Sequence, residues 1–310
     1  LAFHPQENIL AVGGEDGSLQ FRSVPELKLV STLPAHKNAV AAGEFNTRGD
    51  IFVSGSQDGK LIVWEWKNKK QRSVIEFEDA ITDLKIHPKR AEIAVGTAGG
   101  NFEIWSLVKG EQLHNINKFD SAITQVAFDN NGYRIISALE NGSVHIWEYG
   151  ASLHLQTLNG HERTVESLEF SADSKLLISS AADKSVRIWE LESKETPDKF
   201  EMGNHRVQTV RFVPGSQNFA TAGTDSSVII WNAKDGSRIR ELKFHQGKVN
   251  ALSFHPQDPV LLSAGSDKQW ALWNWDSGKL LLSRRSHASQ ILTTAISPDG
   301  KSFATAGSDL

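Results

Sequence analysis

Serine, histidine and aspartate recur in this chain at a spacing that could build a catalytic triad. One such set is His161, Ser179 and Asp183. A triad hydrolase needs one nucleophilic hydroxyl beside one base, which one acid orients. The same residue types return twice more, as His36, Ser54 and Asp58 and as His245, Ser263 and Asp267. Repetition favours a structural role in every copy over nucleophilic catalysis at a single site.

A tryptophan follows each of these aspartates by six residues, at Trp64, Trp189 and Trp273. A carboxylate can orient an imidazole, a hydroxyl can bridge, and a buried indole N–H needs an acceptor. We therefore predict three buried hydrogen-bonded tetrads, each made of a histidine, a serine, an aspartate and a tryptophan.

The tryptophans are evenly spaced along the chain. After Trp64 the matching positions follow in one step of 41 and four steps of 42 residues: Trp105, Trp147, Trp189, Trp231 and Trp273. Each interval contains four short β-prone runs, and the third of them ends at the tryptophan. Four short strands cannot bury both faces of their sheet alone, whereas stacked sheets can. The period therefore predicts an all-β repeat protein.

This period, the Trp-Glu and Trp-Asn dipeptides and the pair Gly160-His161 resemble the WD40 repeat family. The resemblance covers residues 1–310 and implies a β-propeller of four-stranded antiparallel blades. Seven complete units of about 42 residues are centred on Arg22, Trp64, Trp105, Trp147, Trp189, Trp231 and Trp273, and a partial eighth spans 287–310. The count leaves two arrangements open, an eight-blade ring or a seven-blade ring followed by the start of another propeller. Both lead us to expect a longer parent chain.

Several units depart from the tetrad pattern. The third has Phe77, Val95 and Gly99 in place of histidine, hydroxyl and aspartate, and the fourth has Phe119, Ser137 and Asn141. We expect the two phenylalanines to replace the network by apolar packing. The sixth unit keeps Thr221, Asp225 and Trp231 but has Gly203 in the histidine position.

Three tryptophans lie outside the regular series: Trp66, Trp270 and Trp275. Trp270 occupies the position of Leu61 and Val186, so we predict that it lies in the core between blades. Trp66 and Trp275 follow Trp64 and Trp273 by two residues. We predict that both are partly exposed and contribute to side-surface contacts.

Composition excludes several classes of function. Net charge is −4, with 33 basic and 37 acidic residues, so no basic footprint indicates nucleic-acid binding. The chain has no cysteine, which excludes disulfides and thiolate metal sites. No apolar run approaches the roughly 20 residues of a membrane helix, and no phosphate-binding glycine loop is present. We expect no metal, cofactor or membrane partner, and a prokaryotic cytoplasmic protein.

The resemblance also implies where a partner would dock. Propellers of this family usually bind partners on the loops before each first strand and the turns between second and third strands. The residues that this rule selects here are Lys37, Gln57, Glu78, Asp79, Asp120, Glu140, Arg163, Arg206 and Lys248. Acids come from the third and fourth units and bases mainly from the fifth to seventh, which would suit a partner of mixed charge.

The expected function is a non-catalytic scaffold that binds a protein or peptide on a rigid, multi-loop face. One alternative is a sensor propeller in a larger switch protein, attached to a nucleotide-binding or effector domain. A remote alternative is an enzyme that uses the mouth of the propeller channel. Fold alone does not identify the partner.

Overall fold

The computed structural model describes residues 1–192, 198–201 and 205–309. These residues form seven four-stranded sheets and one two-stranded sheet, in which strands adjacent in sequence pair antiparallel. The predicted all-β propeller with seven complete units and a partial eighth is confirmed. Across the described ranges, no helix has the length and apolarity needed to cross a bilayer.

The chain divides into two compact units, Leu1–Gly160 and His161–Leu310. The first contains blades one to four. Their strands are β1 Ala2–Phe3, β2 Ile9–Gly13, β3 Ser18–Ser23 and β4 Leu29–Pro34; β5 Val40–Phe45, β6 Ile51–Ser56, β7 Lys60–Glu65 and β8 Lys70–Glu76; β9 Ile81–Ile86, β10 Glu92–Thr97, β11 Asn101–Ser106 and β12 Gln112–Lys118; and β13 Ile123–Phe128, β14 Arg134–Leu139, β15 Val144–Glu148 and β16 Leu153–Leu158.

The second unit contains blades five to seven and the partial eighth. Its strands are β17 Val165–Phe170, β18 Leu176–Ala181, β19 Ser185–Glu190 and β20 Asp198–Glu201; β21 Val207–Phe212, β22 Asn218–Gly223, β23 Ser227–Asn232 and β24 Arg238–Lys243; β25 Val249–Phe254, β26 Val260–Gly265, β27 Gln269–Asn274 and β28 Lys279–Arg285; and β29 Ile291–Ile296 and β30 Phe303–Gly307.

The turn between the second and third strands requires a left-handed residue. Gly59 supplies it in blade two with a φ of 75°. Lys184, Ser226 and Lys268 hold the corresponding turn position with φ between 64° and 70°. The aspartate just before each of the four residues accepts a hydrogen bond from the backbone N–H two residues on, which stabilises the turn.

The core lies where successive sheets face each other. Between blades two and three, Leu61, Val63, Ile81, Leu84 and Val95 pack in one buried cluster. All six residues of β6 are buried, because this strand is covered on both faces. Each sheet thus gains a second apolar partner that its own four strands cannot provide.

Of the three irregular tryptophans, Trp275 is partly exposed, as predicted, whereas Trp66 and Trp270 are buried. Trp270 is buried and packs edge-on against Phe303 in the partial blade at 4.8 Å, as predicted. The prediction for Trp66 is wrong, since only 7% of it is exposed. The turn after β7 directs its ring onto Phe21, and its indole N–H donates to Glu7 at 2.9 Å.

Candidate functional site

The tetrad of blade five joins a loop to a hairpin. His161 contacts Asp183 through Nδ1 at 2.9 Å and Ser179 through Nε2 at 2.8 Å. The indole N–H of Trp189 donates to the same Ser179 Oγ at 2.8 Å. The backbone N–H of Glu162 donates to Asp183 at 3.1 Å, which ties the loop before β17 to the β18–β19 turn.

The other two predicted tetrads have matching bonds. The distances are 2.8 Å for His36–Ser54, 3.2 Å for His36–Asp58 and 3.0 Å for Trp64–Ser54, and 2.8 Å for His245–Ser263, 2.9 Å for His245–Asp267 and 2.9 Å for Trp273–Ser263. The three serines are fully buried. Each hydroxyl is therefore enclosed between an indole and an imidazole, where no substrate carbonyl could approach it.

Burial controls the protonation of the tetrads. It lowers the pKa of His36 and His245, although the facing carboxylates oppose the change. Burial alone would raise the pKa of Asp58, but hydrogen bonds from the backbone N–H groups of Lys37 and Lys60 and from His36 lower it overall. At neutral pH these imidazoles are neutral, and a neutral ring that faces a carboxylate through Nδ1 donates its proton there.

One contributor to the tetrads was missed at the sequence level. The hydroxyl of Ser185 lies 2.8 Å from Asp183 and 3.1 Å from His161 Nδ1. A signal was available, because the corresponding position also carries a serine in other blades, at Ser143 and Ser227.

Blades three and four replace the network by aromatic contacts, as expected. The Phe77 ring lies edge-on to Trp105 at 5.7 Å, and Phe119 lies edge-on to Trp147 at 6.5 Å. Trp105 donates instead to Glu103 at 2.8 Å. In blade four the buried Ser137 hydroxyl and Trp147 indole N–H have no hydrogen-bond partner in the described parts of the chain.

Blade six retains half of the network. The indole N–H of Trp231 donates to Thr221 Oγ1 at 2.8 Å. Asp225 accepts from the hydroxyl of Ser227 at 2.8 Å and from its backbone N–H at 3.3 Å. Gly203, which the sequence places in the histidine position, lies outside the described residues.

We call the end of each blade that holds the loop before its first strand and its second-to-third-strand turn the tetrad end. In the first unit, five of the predicted partner-binding residues are exposed there: Lys37, Gln57, Glu78, Asp120 and Glu140. Asp79 is only partly exposed and lies 3.7 Å from Lys118 and 3.4 Å from the amide of Asn101. It is less available to a partner than its sequence position indicates.

In the second unit, Arg163 and Arg206 are exposed at the tetrad end and Lys248 is partly exposed. Arg206 forms an ion pair with Glu166. Backbone bonds hold the loops of each blade together, for example Gln57 N–H to Ala39 C=O at 3.0 Å in the first unit. In the ranges that the structure describes, no three His, Asp or Glu side chains group as a metal site would require.

The WD40 family, described as WD domain, G-beta repeat, matches residues 27–65, 110–148, 153–190, 199–232 and 236–274. These five segments make up more than half of the chain. The chain belongs to the WD40 family. WD40 propellers are generally non-enzymatic scaffolds that bind protein partners.

Individual WD-repeat relatives match about a third of this chain. The Periodic tryptophan protein 2 homolog of Neurospora crassa is 30% identical over 114 residues, 36% of this chain and 13% of that protein. Periodic tryptophan protein 2 of Saccharomyces cerevisiae is 26% identical over 115 residues, 36% of this chain and 12% of its own. Apoptotic protease-activating factor 1 of Rattus norvegicus is 22% identical over 106 residues, which are 34% of this chain and 8% of that protein. The match thus spans 8 to 13% of these relatives' length.

A solved structure shares the fold over nearly the whole chain. The computationally designed Ika8 protein superposes with a TM-score of 0.85, covering 99% of this chain and 95% of its own. Sequence identity is 22%, so this WD40 chain shares the fold with it and no more.

Proposed function

We propose that this WD40 chain is a non-catalytic scaffold that binds a protein or peptide segment at the tetrad end of its blades. The observation that carries the proposal is a set of exposed, charged side chains on loops that hydrogen bonds to the tetrad aspartates already hold in place. Lys37, for example, is exposed while its backbone N–H donates to Asp58 at 2.8 Å. Ordered loops lose little conformational entropy on binding, which favours recognition of an extended partner.

The charges indicate what such a segment would carry. In the first unit, Glu78, Asp120 and Glu140 are exposed carboxylates at the tetrad end, which supports contact with a basic stretch. In the second unit, Arg163 and Arg206 are exposed, which supports contact with an acidic stretch. Charged loops of this kind contribute specificity and association rate more than raw affinity.

The tetrads support the non-catalytic part of the proposal. A nucleophile must be reachable, yet Ser54, Ser179 and Ser263 are 0% exposed. Each hydroxyl oxygen already accepts an indole N–H. The same arrangement in three blades serves to fasten loops to hairpins. A cytoplasmic location, predicted from composition, stays a prediction.

The test uses peptides selected from a displayed library on the purified chain, with affinity measured by fluorescence anisotropy. A triple variant carrying Glu78→Lys, Asp120→Lys and Glu140→Lys reverses the exposed acids of the first unit. We expect it to weaken binding of basic peptides by at least about tenfold, because it replaces attraction by repulsion. The loss should shrink as salt rises.

The matched control reverses three exposed acids at the opposite end of blades one to three, in the same unit: Glu26→Lys, Asp50→Lys and Glu111→Lys. It changes net charge by the same amount and should leave affinity within about twofold. Equal losses of affinity in the two triple variants would mean that overall charge, and not the position of the acids, causes the loss. Unchanged affinity in the variant of Glu78, Asp120 and Glu140 would show that the tetrad end of this unit is not the binding surface.

A second candidate is a sensor propeller within a larger switch protein. The observation that favours it is the match to part of Apoptotic protease-activating factor 1, of which the aligned segment is 8%. The test is to read the coding sequence on both sides of this segment. A nucleotide-binding loop motif beside the propeller would support a switch, and further units of about 42 residues would instead indicate an array.

A further inference from the structure

Blade six contains a cavity of about 530 Å³ in the second unit. Among the residues that line it are Thr221, Asp225, Ser227 and Trp231. These are the residues that remain of the blade-six tetrad, together with the turn serine. The cavity thus lies against the hydrogen-bonding groups that a complete tetrad would use.

Blade five shows what the corresponding groups surround. One repeat of 42 residues earlier, the counterparts of the four lining residues are Ser179, Asp183, Ser185 and Trp189. Three of them lie within hydrogen-bond distance of His161, at 2.8, 2.9 and 3.1 Å, and the Trp189 ring is 6.2 Å from its ring. The four side chains that contact the His161 ring in blade five therefore have counterparts on the wall of the blade-six cavity.

The donors and acceptors on the cavity wall limit which kind of ligand can bind. The Thr221 oxygen already accepts the indole N–H of Trp231, so its own proton is left to donate. In the described residues Asp225 bonds only to Ser227, and its two carboxylate oxygens retain acceptor capacity. The cavity therefore offers a donor on one side and an acceptor on the other. A neutral imidazole, with one bare ring nitrogen and one N–H, complements both.

Charge disfavours a cationic ligand. The charged residues that line the cavity are Arg206, Arg238, Lys243, Asp225 and Glu241, with His205 and His245 beside them. Glu241 lies 3.3 Å from Arg238 and 3.2 Å from Lys243, so one carboxylate faces two cations and this part of the wall keeps an excess positive charge. Arg206 pairs with Glu166. Bases outnumber acids on the wall, so a second positive charge is opposed.

We propose that this cavity binds a neutral imidazole group, which donates to Asp225 and accepts from Thr221. The group can come from a histidine side chain of a peptide or from a free azole. The site does not depend on the scaffold function proposed above, because free imidazole tests it without any partner.

The first experiment titrates free imidazole into the intact chain and follows the indole N–H resonance of Trp231 by NMR. We expect a dissociation constant on the order of 1 mM, as five ring atoms and two hydrogen bonds allow. N-Methylimidazole, which cannot donate to Asp225, should bind at least about tenfold more weakly. No shift up to about 50 mM imidazole would overturn the proposal. This comparison uses the unaltered protein and does not depend on a variant folding.

The second experiment uses variants. Asp225→Ala and Thr221→Val should each weaken imidazole binding by at least about tenfold. Asp276→Asn removes an exposed carboxylate from a turn of blade seven and should leave the affinity unchanged. Equal affinity in Asp225→Ala and the unaltered chain would place the imidazole elsewhere and overturn the assignment.

The third experiment separates protonation states and sources. Affinity should rise between about pH 5.5 and about pH 8 as the ring loses its proton, and a fall would contradict a neutral ligand. An acetylated Gly-His-Gly amide, compared with its Gly-Gly-Gly control, tests the side-chain source. Binding of the histidine peptide supports a partner histidine, whereas binding of free imidazole alone supports a small azole.

Discussion

The carboxylate of Asp79 lies directly against Gly99, so close that a Cβ atom at the glycine position would require Asp79 to move. In blades two, five and seven the corresponding position carries the turn aspartate of the tetrad, such as Asp58. Asp79 approaches from the loop before β9 and also faces the amide of Asn101 at 3.4 Å. In blade three, the carboxylate at this place therefore comes from the loop before β9 and not from the turn.

Restoring the family pattern with Gly99→Asp should therefore destabilise the protein. The new side chain would meet Asp79, and two carboxylates at one place repel each other. We expect a loss of about 1–3 kcal/mol in the free energy of unfolding, measured by urea denaturation. Asn141→Asp is the matched control in blade four, because an aspartate there can still accept the bonds from Ser143 at 3.0 and 2.7 Å. Similar losses in both variants would show that crowding by Asp79 is not the cause.

Two buried serines at corresponding positions should respond differently to the same substitution. Ser179→Ala leaves His161 and Trp189 without their shared partner, so we expect a loss of about 1–3 kcal/mol. Ser137 has no hydrogen-bond partner among the described residues. Ser137→Ala should therefore change stability by less than about 0.5 kcal/mol. Chemical denaturation of both variants gives the comparison, and equal costs would refute the tetrad as the source of the difference.

Asp83 should reduce stability at neutral pH. Burial raises the pKa of this carboxyl, on β9, to about 6, although the N–H of Val126 donates to it at 2.9 Å. The pKa of Asp83 is therefore higher in the folded protein than in the unfolded chain. For this reason the contribution of the carboxyl to stability is complete only below the unfolded pKa, and it is lost as pH rises through about 6. Asp83→Asn keeps an oxygen for Val126 and removes the charge. We expect it to raise stability by about 1 kcal/mol above this pH, with the gain shrinking on acidification.

The measurement for Asp83→Asn is thermal unfolding across that pH range, with the unaltered chain in parallel. A constant difference at every pH would mean that the charge is not responsible. Lys85 and Glu44 also act on this carboxyl with opposite signs, so a variant of either should shift the transition without abolishing it.

The buried histidines should make the fold sensitive to acid. Burial lowers the pKa of His36 and His245 in the folded state, so the unfolded chain binds more protons near pH 6. Their contribution is complete above the unfolded pKa and is lost as pH falls through the lower folded pKa. His245→Gln should flatten this part of the stability curve, whereas His205→Gln, at an exposed site, should not. Parallel curves for His245→Gln and the unaltered chain would contradict the assignment.

Much of the fold followed from the repeat. The 42-residue period set the number of blades, and the third strands end one residue after the tryptophans that the sequence marked, as at Trp64 in β7 and Trp147 in β15. The turn aspartates were also readable, because each precedes a tryptophan of the series by six residues. Local turn chemistry and strand periodicity act within a blade, so they leave a direct trace in sequence.

What the sequence by itself determined was the repeating blade and the residue types that each tetrad could use. Only the tertiary structure decided that Trp66 is buried on blade one, that Asp79 covers Gly99 and that blade six has a cavity where its partial tetrad lies. Each of these depends on how a turn or loop directs a side chain onto a neighbouring element. Such contacts join residues that are far apart in the chain. The repeat period predicts where each strand lies, but it does not predict which of these side chains come into contact.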